Sequence, residues 1–175
     1  GIPGQPDGST VSFSIEARDE TLQSSFSTDH SYFVGELPTL SIYDIQYTLD
    51  PSGDSPHNGA MATVTGLVTA LGSSGDGSFF LSEGAGPWQS IMIYGANTGV
   101  AIGDEVTATG TVTEYYDYTE IIVTGEADYS VLSSGNAPYA VPAETMDVAY
   151  SEAYESCMVR VENATCTIAD AGYGE

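Results

Sequence analysis

Three pairs of acidic residues carry the most recognisable chemistry in the chain: Asp50 with Asp54, Asp104 with Glu105, and Asp117 with Glu120. Carboxylates this close together, in turns whose carbonyls add further oxygens, suit a hard divalent cation such as Ca²⁺. None of the pairs fits the D-x-[DN]-x-[DN]-G calcium loop. Asp50 and Asp54 lie in a turn with two prolines and two glycines, LDPSGDSPHNG, whose carbonyls would complete a Ca²⁺ shell. No other cofactor is expected. The histidines, His30 and His57, stand in no spacing that suggests a hydrolytic triad or a phosphodiesterase centre, so a non-enzymatic protein is expected.

The aromatic residues offer a second chemistry. Tyr115, Tyr116 and Tyr118, together with Phe79, Phe80, Trp88 and Tyr94, have the composition of a base-stacking platform, on which each base gains about 1–3 kcal/mol. The competing reading, tyrosines packed for structure, is favoured by charge. The 175 residues include 25 Asp and Glu against two basic residues, Arg18 and Arg160, for a formal net charge of −23. Nucleic-acid affinity comes largely from Lys and Arg displacing counterions, so this balance disfavours a nucleic-acid partner. It equally opposes anionic lipid surfaces, and it is the composition that cations, high salt or simple solubility would select.

Cys157 and Cys166 are the only cysteines. On one continuous strand they would stand about 30 Å apart at about 3.3 Å per residue, so a disulfide requires a turn near Glu162-Asn163 or a second subunit. The other reading is two small buried thiols. Zinc is not indicated, because no His or further Cys pair accompanies them. Asn163-Ala164-Thr165 forms a glycosylation-type sequon in the same stretch.

The elements that must position these residues are read as strands. In GDEVTATGTVTEYYDYTEII, from Gly103 to Ile122, Val106, Ala108, Gly110 and Val112 share one parity and Thr107, Thr109, Thr111 and Thr113 the other. That alternation is the mark of a half-buried strand, here with a Tyr-rich turn at 115–118 leading into its partner. Met61–Leu71, SFFLSE, WQSIMIYG and Tyr129–Leu132 add further strands, giving five or six between residues 60 and 132 with frequent turns. Gly66 and Gly110 interrupt the long strands where a small barrel would curl. SIYDIQYT also reads as a short strand, and Glu144–Glu155 as a segment containing a helical turn.

The expected organisation has three parts. Residues 1–39 form an extension with one amphipathic strand, in which Val11, Phe13 and Ile15 alternate with polar residues. Residues 40–140 form the barrel, and 141–175 a C-terminal segment ending in a strand over Cys157–Ile168 that carries Val159 and Val161. The N-terminal strand must pair either with the barrel or with a neighbouring molecule, and the C-terminal strand, with no hairpin partner after it, is expected to be an unpaired edge. An unpaired strand invites pairing with another molecule, which makes Val11, Phe13, Ile15, Val159 and Val161 the candidate assembly residues. The opening GIPGQPDGST has no charged-then-apolar leader, so an exported chain would already have lost its signal. No apolar run is long enough to span a bilayer.

The order SIYDIQ, TVTGLVTA, FFLSE, W-x-S-I-x-I-Y, GDEVTATGTVTEYYDYTEI, VLSSGN and VRVENAT, over residues 40–168, resembles the OB-fold modules of secreted bacterial nucleases and related extracellular multidomain surface proteins. The resemblance implies an all-β, small five-stranded OB-fold-like barrel with additional N- and C-terminal strands, in a secreted or cell-surface protein. In such proteins the module accompanies a nuclease domain and helps hold nucleic acid. Charge and the spare terminal strands favour a different expectation: a structural subunit whose main partner is itself, joined into a filament by strand exchange and by Ca²⁺. An accessory nucleic-acid-binding module is the alternative.

Overall fold

The computed structural model describes residues 4–6, 9–19, 23–27, 30–35, 39–72, 77–95, 99–125 and 128–165. Four short strands open the chain: β1 (Thr10–Phe13), β2 (Glu16–Arg18), β3 (Ser24–Phe26) and β4 (His30–Phe33). They nest as one long antiparallel hairpin, with β1 on β4 from Thr10↔Phe33 to Phe13↔His30 and β2 on β3 from Glu16↔Phe26 to Arg18↔Ser24. Between the two ladders Ser27 N donates to the Ile15 carbonyl at 2.9 Å, and Ile15 N to Ser27 Oγ at 2.9 Å. The expected lone strand over 11–17 is therefore corrected: it folds back on its own chain. The returning half, Ala17–His30, has no alternation to show this because every residue of β2 and β3 is exposed.

SIYDIQYT is a helix, not a strand. In α1 (Ile42–Gln46) Ser41 caps the first turn and Asp44 returns the bond, a reciprocal capping box. Ile42, Ile45 and Gln46 are buried, the i, i+3, i+4 face of a helix. Glu83 reinforces the start, its two carboxylate oxygens accepting from Ile42 N and Tyr43 N at 2.8 Å each.

The barrel follows the alternation read from sequence. Its strands are β5 (Met61–Leu71), β6 (Phe79–Ser82), β7 (Ser90–Tyr94), β8 (Glu105–Glu114) and β9 (Thr119–Ile122), with β10 (Tyr129–Ser133) added beside β8. They pair in the order β8-β5-β6-β7-β9, and β9 returns to β8, closing the ring. All the pairs are antiparallel except β7 with β9, which is parallel. This is an all-β, five-stranded OB-like barrel with extra strands.

Ala62, Val64 and Val68 of β5 meet Val106, Ala108 and Val112 of β8 inside, with Phe79, Leu81, Ile91, Ile93 and Ile121 completing the core over Ile42 and Ile45. Outside, the threonines pair across the same two strands, Thr63 with Thr109 at 2.9 Å and Thr65 with Thr107 at 2.8 Å. Gly66 marks where β5 passes from pairing with β8 to pairing with β6. A Cβ there would stand 2.7 Å from the Ser82 carbonyl oxygen, and at Gly110 it would collide with that of Ile122.

Beyond β10 the chain returns over the barrel through β11 (Ala143–Glu144), α2 (Met146–Ala149), a 3₁₀ turn at Glu152–Tyr154 and β12 (Arg160–Val161). The helical character expected between 144 and 155 is present. Of the long strand expected over 157–168, residues 166–168 lie outside the described residues; within 157–165 it is corrected to the two residues of β12, which pair in parallel with β11. Asn163 follows at φ 57°, so the chain turns just after Val161. No helix among the described residues is long and apolar enough to cross a membrane.

Candidate functional site

The acids that are neighbours in sequence are separated by the fold. Asp104 is buried and its Oδ2 accepts from Ala101 N at 2.8 Å, whereas Glu105 accepts from Ser133 Oγ at 3.0 Å on the outer side. Successive strand residues point to opposite faces, so the two carboxylates diverge. Hydrogen bonds from Ser134 and the Ala101 amide hold the Asp104 carboxyl below its ordinary range. Asp117 is exposed at the tip of the β8–β9 turn, and Glu120 is buried in β9. Asp50 caps its own turn, its Oδ1 accepting from Ser52 N at 3.0 Å and Ser52 Oγ at 2.9 Å, which lowers its pKa. No group of three or more His, Cys, Asp or Glu among the described residues is arranged to hold a metal ion.

Members of different pairs do meet, around acids that the sequence reading passed over. The 3₁₀ turn carries Glu152 and Glu155 onto the barrel beside the end of β8. Glu155 Oε1 accepts from Thr119 N at 3.0 Å and from Gln46 Nε2 at 3.4 Å. Glu114 reaches the same threonine: its Oε1 accepts from Thr119 Oγ1 at 2.7 Å and from Ser55 N at 2.8 Å. The other oxygen of Glu114, Oε2, is buried without a hydrogen-bond partner. Burial pushes the Glu155 carboxyl up to about 7, with the charges of Glu152 and Glu114 adding to it. Glu152 is raised by burial and then by Glu114, Asp117 and Asp54. The signal available in the sequence was Glu152-x-x-Glu155, which places both acids on one side of a single helical turn.

The same segment is held at three further points. Trp88 N donates to the Ala153 carbonyl at 2.6 Å, Tyr118 and Ser156 share a hydroxyl bond of 2.6 Å, and Cys157 Sγ donates to the Gly86 carbonyl at 3.3 Å. Trp88 has φ 64° and Ser156 φ 59°, so two of these contacts involve left-handed backbone. Cys166 lies outside the described residues, and the disulfide expectation with it.

The aromatic residues do not form one platform. Phe79 is in the core, Phe80 is half-buried, and Tyr118 points its hydroxyl at Ser156. Trp88 packs edge-on against Tyr47 at 5.7 Å between ring centres, and Tyr94 is exposed at the end of β7. Of the seven candidates, Tyr115 and Tyr116 alone stand exposed together, 62% and 87% exposed and edge-to-face at 4.7 Å, on a turn where Tyr116 and Asp117 both have positive φ.

The assembly candidates divide between the two ends. Val11 and Phe13 are half-buried in β1, Ile15 is 59% exposed between the ladders, and Val159 and Val161 are half-buried at β12. Phe26, on β3 opposite Glu16, adds a second exposed apolar side chain at 65%. Among the described residues β1/β4 and β2/β3 are each two-stranded sheets. No protein-family model and no curated protein matches the chain.

Proposed function

We infer that the chain is a non-enzymatic structural subunit that polymerises outside the cell, with its main partner a second copy of itself. The carrying observation is the N-terminal hairpin: four short strands in two-stranded ladders, with Ile15 and Phe26 exposed along it. A two-stranded hairpin is marginal in water by itself and gains stability by adding a further strand or covering an apolar face. What is exchanged is then the edge of an arm, not a lone strand. Joining an arm to a different surface of the next subunit is a heterologous contact, and such contacts propagate into filaments unless they close. The near absence of basic residues supports a partner that is not a polyanion.

The test is electron microscopy of the intact chain beside a variant carrying Ile15→Asp and Phe26→Asp. The parent is expected to form filaments, and the variant to leave dispersed barrels with unchanged circular dichroism. Filaments of equal number and length from both would overturn the arm as the joint.

A second reading, an accessory nucleic-acid-binding module, is favoured by the exposed Tyr115–Tyr116 pair on the β8–β9 turn. It requires measurable single-stranded DNA affinity that falls on Tyr116→Ala. A gel shift showing none, with and without Ca²⁺, would remove it.

A further inference from the structure

Two of the bonds that fasten the Glu152–Cys157 segment, from Thr119 N and Gln46 Nε2, end on the Glu155 carboxyl. Glu155 and Glu114 both bond Thr119, one to its amide and one to its hydroxyl, so two carboxyl groups converge on one residue. A buried carboxylate oxygen without a donor, Glu114 Oε2, lies in the same place. Gly53 completes the crowding: a Cβ there would stand 2.7 Å from Glu152 Cδ.

Neither arginine relieves this. Glu114 faces the cluster from β8, Asp117 and Tyr118 from the β8–β9 turn, and Asp54 from the loop before β5. Glu152 joins from the turn itself, and α1 contributes the neutral Gln46. Glu120 of β9 and Cys157 act on Tyr118 together with Glu155. The two arginines are engaged elsewhere, Arg18 with Glu16 at 2.7 Å and Arg160 with Glu162 at 3.2 Å. A group of like charges at partly buried positions cannot all ionise without weakening the contact that holds them together.

We propose that the Glu152–Cys157 turn is a pH-sensitive clasp on the barrel, closed while Glu155 carries a proton and loosened when that proton leaves. A neutral carboxyl can still accept both bonds at Oε1 with its proton on Oε2; the bonds themselves favour the ionised form, and burial with the charges of Glu152 and Glu114 outweighs them. Ionisation adds a charge beside Glu114 and Glu152. Burial pushes the folded carboxyl up to about 7 from its ordinary range, so the folded form holds more protons than the unfolded one between those limits. The stabilisation is fully present below the ordinary carboxylate range, is lost as pH rises from there to about 7, and changes no further above it. The clasp is a property of the single chain and does not depend on polymerisation.

Two barrel amides report on it directly, because their acceptors lie in the clasp: Thr119 N on Glu155 and Trp88 N on Ala153. Their hydrogen exchange, corrected for the intrinsic effect of pH and read by NMR on the intact chain, is expected to accelerate by up to about tenfold per pH unit from the ordinary carboxylate range up to about 7, and to level off above it. The core amides of Val64 and Ala108 should not change. Glu155→Gln, which keeps an acceptor oxygen but cannot ionise, should abolish the acceleration. Glu114→Gln should move it to lower pH by removing a neighbouring charge. Flat exchange in the parent, an equal acceleration in Glu155→Gln, or parallel acceleration of the core amides would overturn the clasp. If the variants fail to fold, a carbon-detected titration of Glu155 in the parent decides: a midpoint in the ordinary carboxylate range refutes the proposal, and one near neutrality supports it.

Discussion

Glu83 shows how a single acid becomes structural when backbone donors surround it. Its carboxylate receives the first two amides of α1, groups that have no partner within so short a helix. Glu83→Ala should cost about 1–3 kcal/mol by chemical denaturation, since it orphans two donors at a helix start. Gly53 makes the complementary prediction. It is buried at φ 88° beneath the Glu152 carboxylate, so Gly53→Ala adds left-handed strain to a clash and should cost about 1–3 kcal/mol. Neither residue was singled out by sequence, because each acts on a group far away along the chain. The acidic pairs are parted for a related reason. Nearness in sequence places Asp104 and Glu105 on opposite faces, while Glu114 and Glu155, distant in sequence, share Thr119.

Elements were legible where one face is buried and the other is not. β5 and β8 alternate along their length, and both the strands and their inward parity could be read directly. α1 was not: five residues are a short window for either period. The pointers to a helix are Ile42 and Ile45, which share a face at i, i+3 but would oppose each other on a strand, together with the Ser41–Asp44 capping pair. The arm was half legible, because β2 and β3 bury nothing and so leave no pattern. Its exposure carries a prediction. The amides of β2 and β3 should exchange within the dead time of a manual experiment in dispersed subunits and become protected in filaments, as measured by mass spectrometry. Rapid exchange in both states would mean that the arm is not the joint.

For the whole molecule, the charge of −23 sets the conditions for self-association. Repulsion between subunits reaches over the screening length, about 10 Å at 0.1 M salt and about 3 Å at 1 M. Sedimentation should therefore show assembly rising with NaCl, and at lower concentrations with CaCl₂; assembly that falls with salt would contradict a joint made by apolar and strand contacts. The barrel was legible at this scale from strand number and turn spacing, whereas the return of residues 143–161 over it was not, since its contacts are single hydrogen bonds scattered along an irregular path. The same scarcity of basic residues has a practical side. Trypsin has two bonds to cut in the whole chain, after Arg18 in the arm and after Arg160 in β12, and both side chains are largely exposed. One cut reads whether the arm is sheltered and the other whether the returning segment is in place, so a single digest, resolved into at most three fragments, separates the two ends of the molecule.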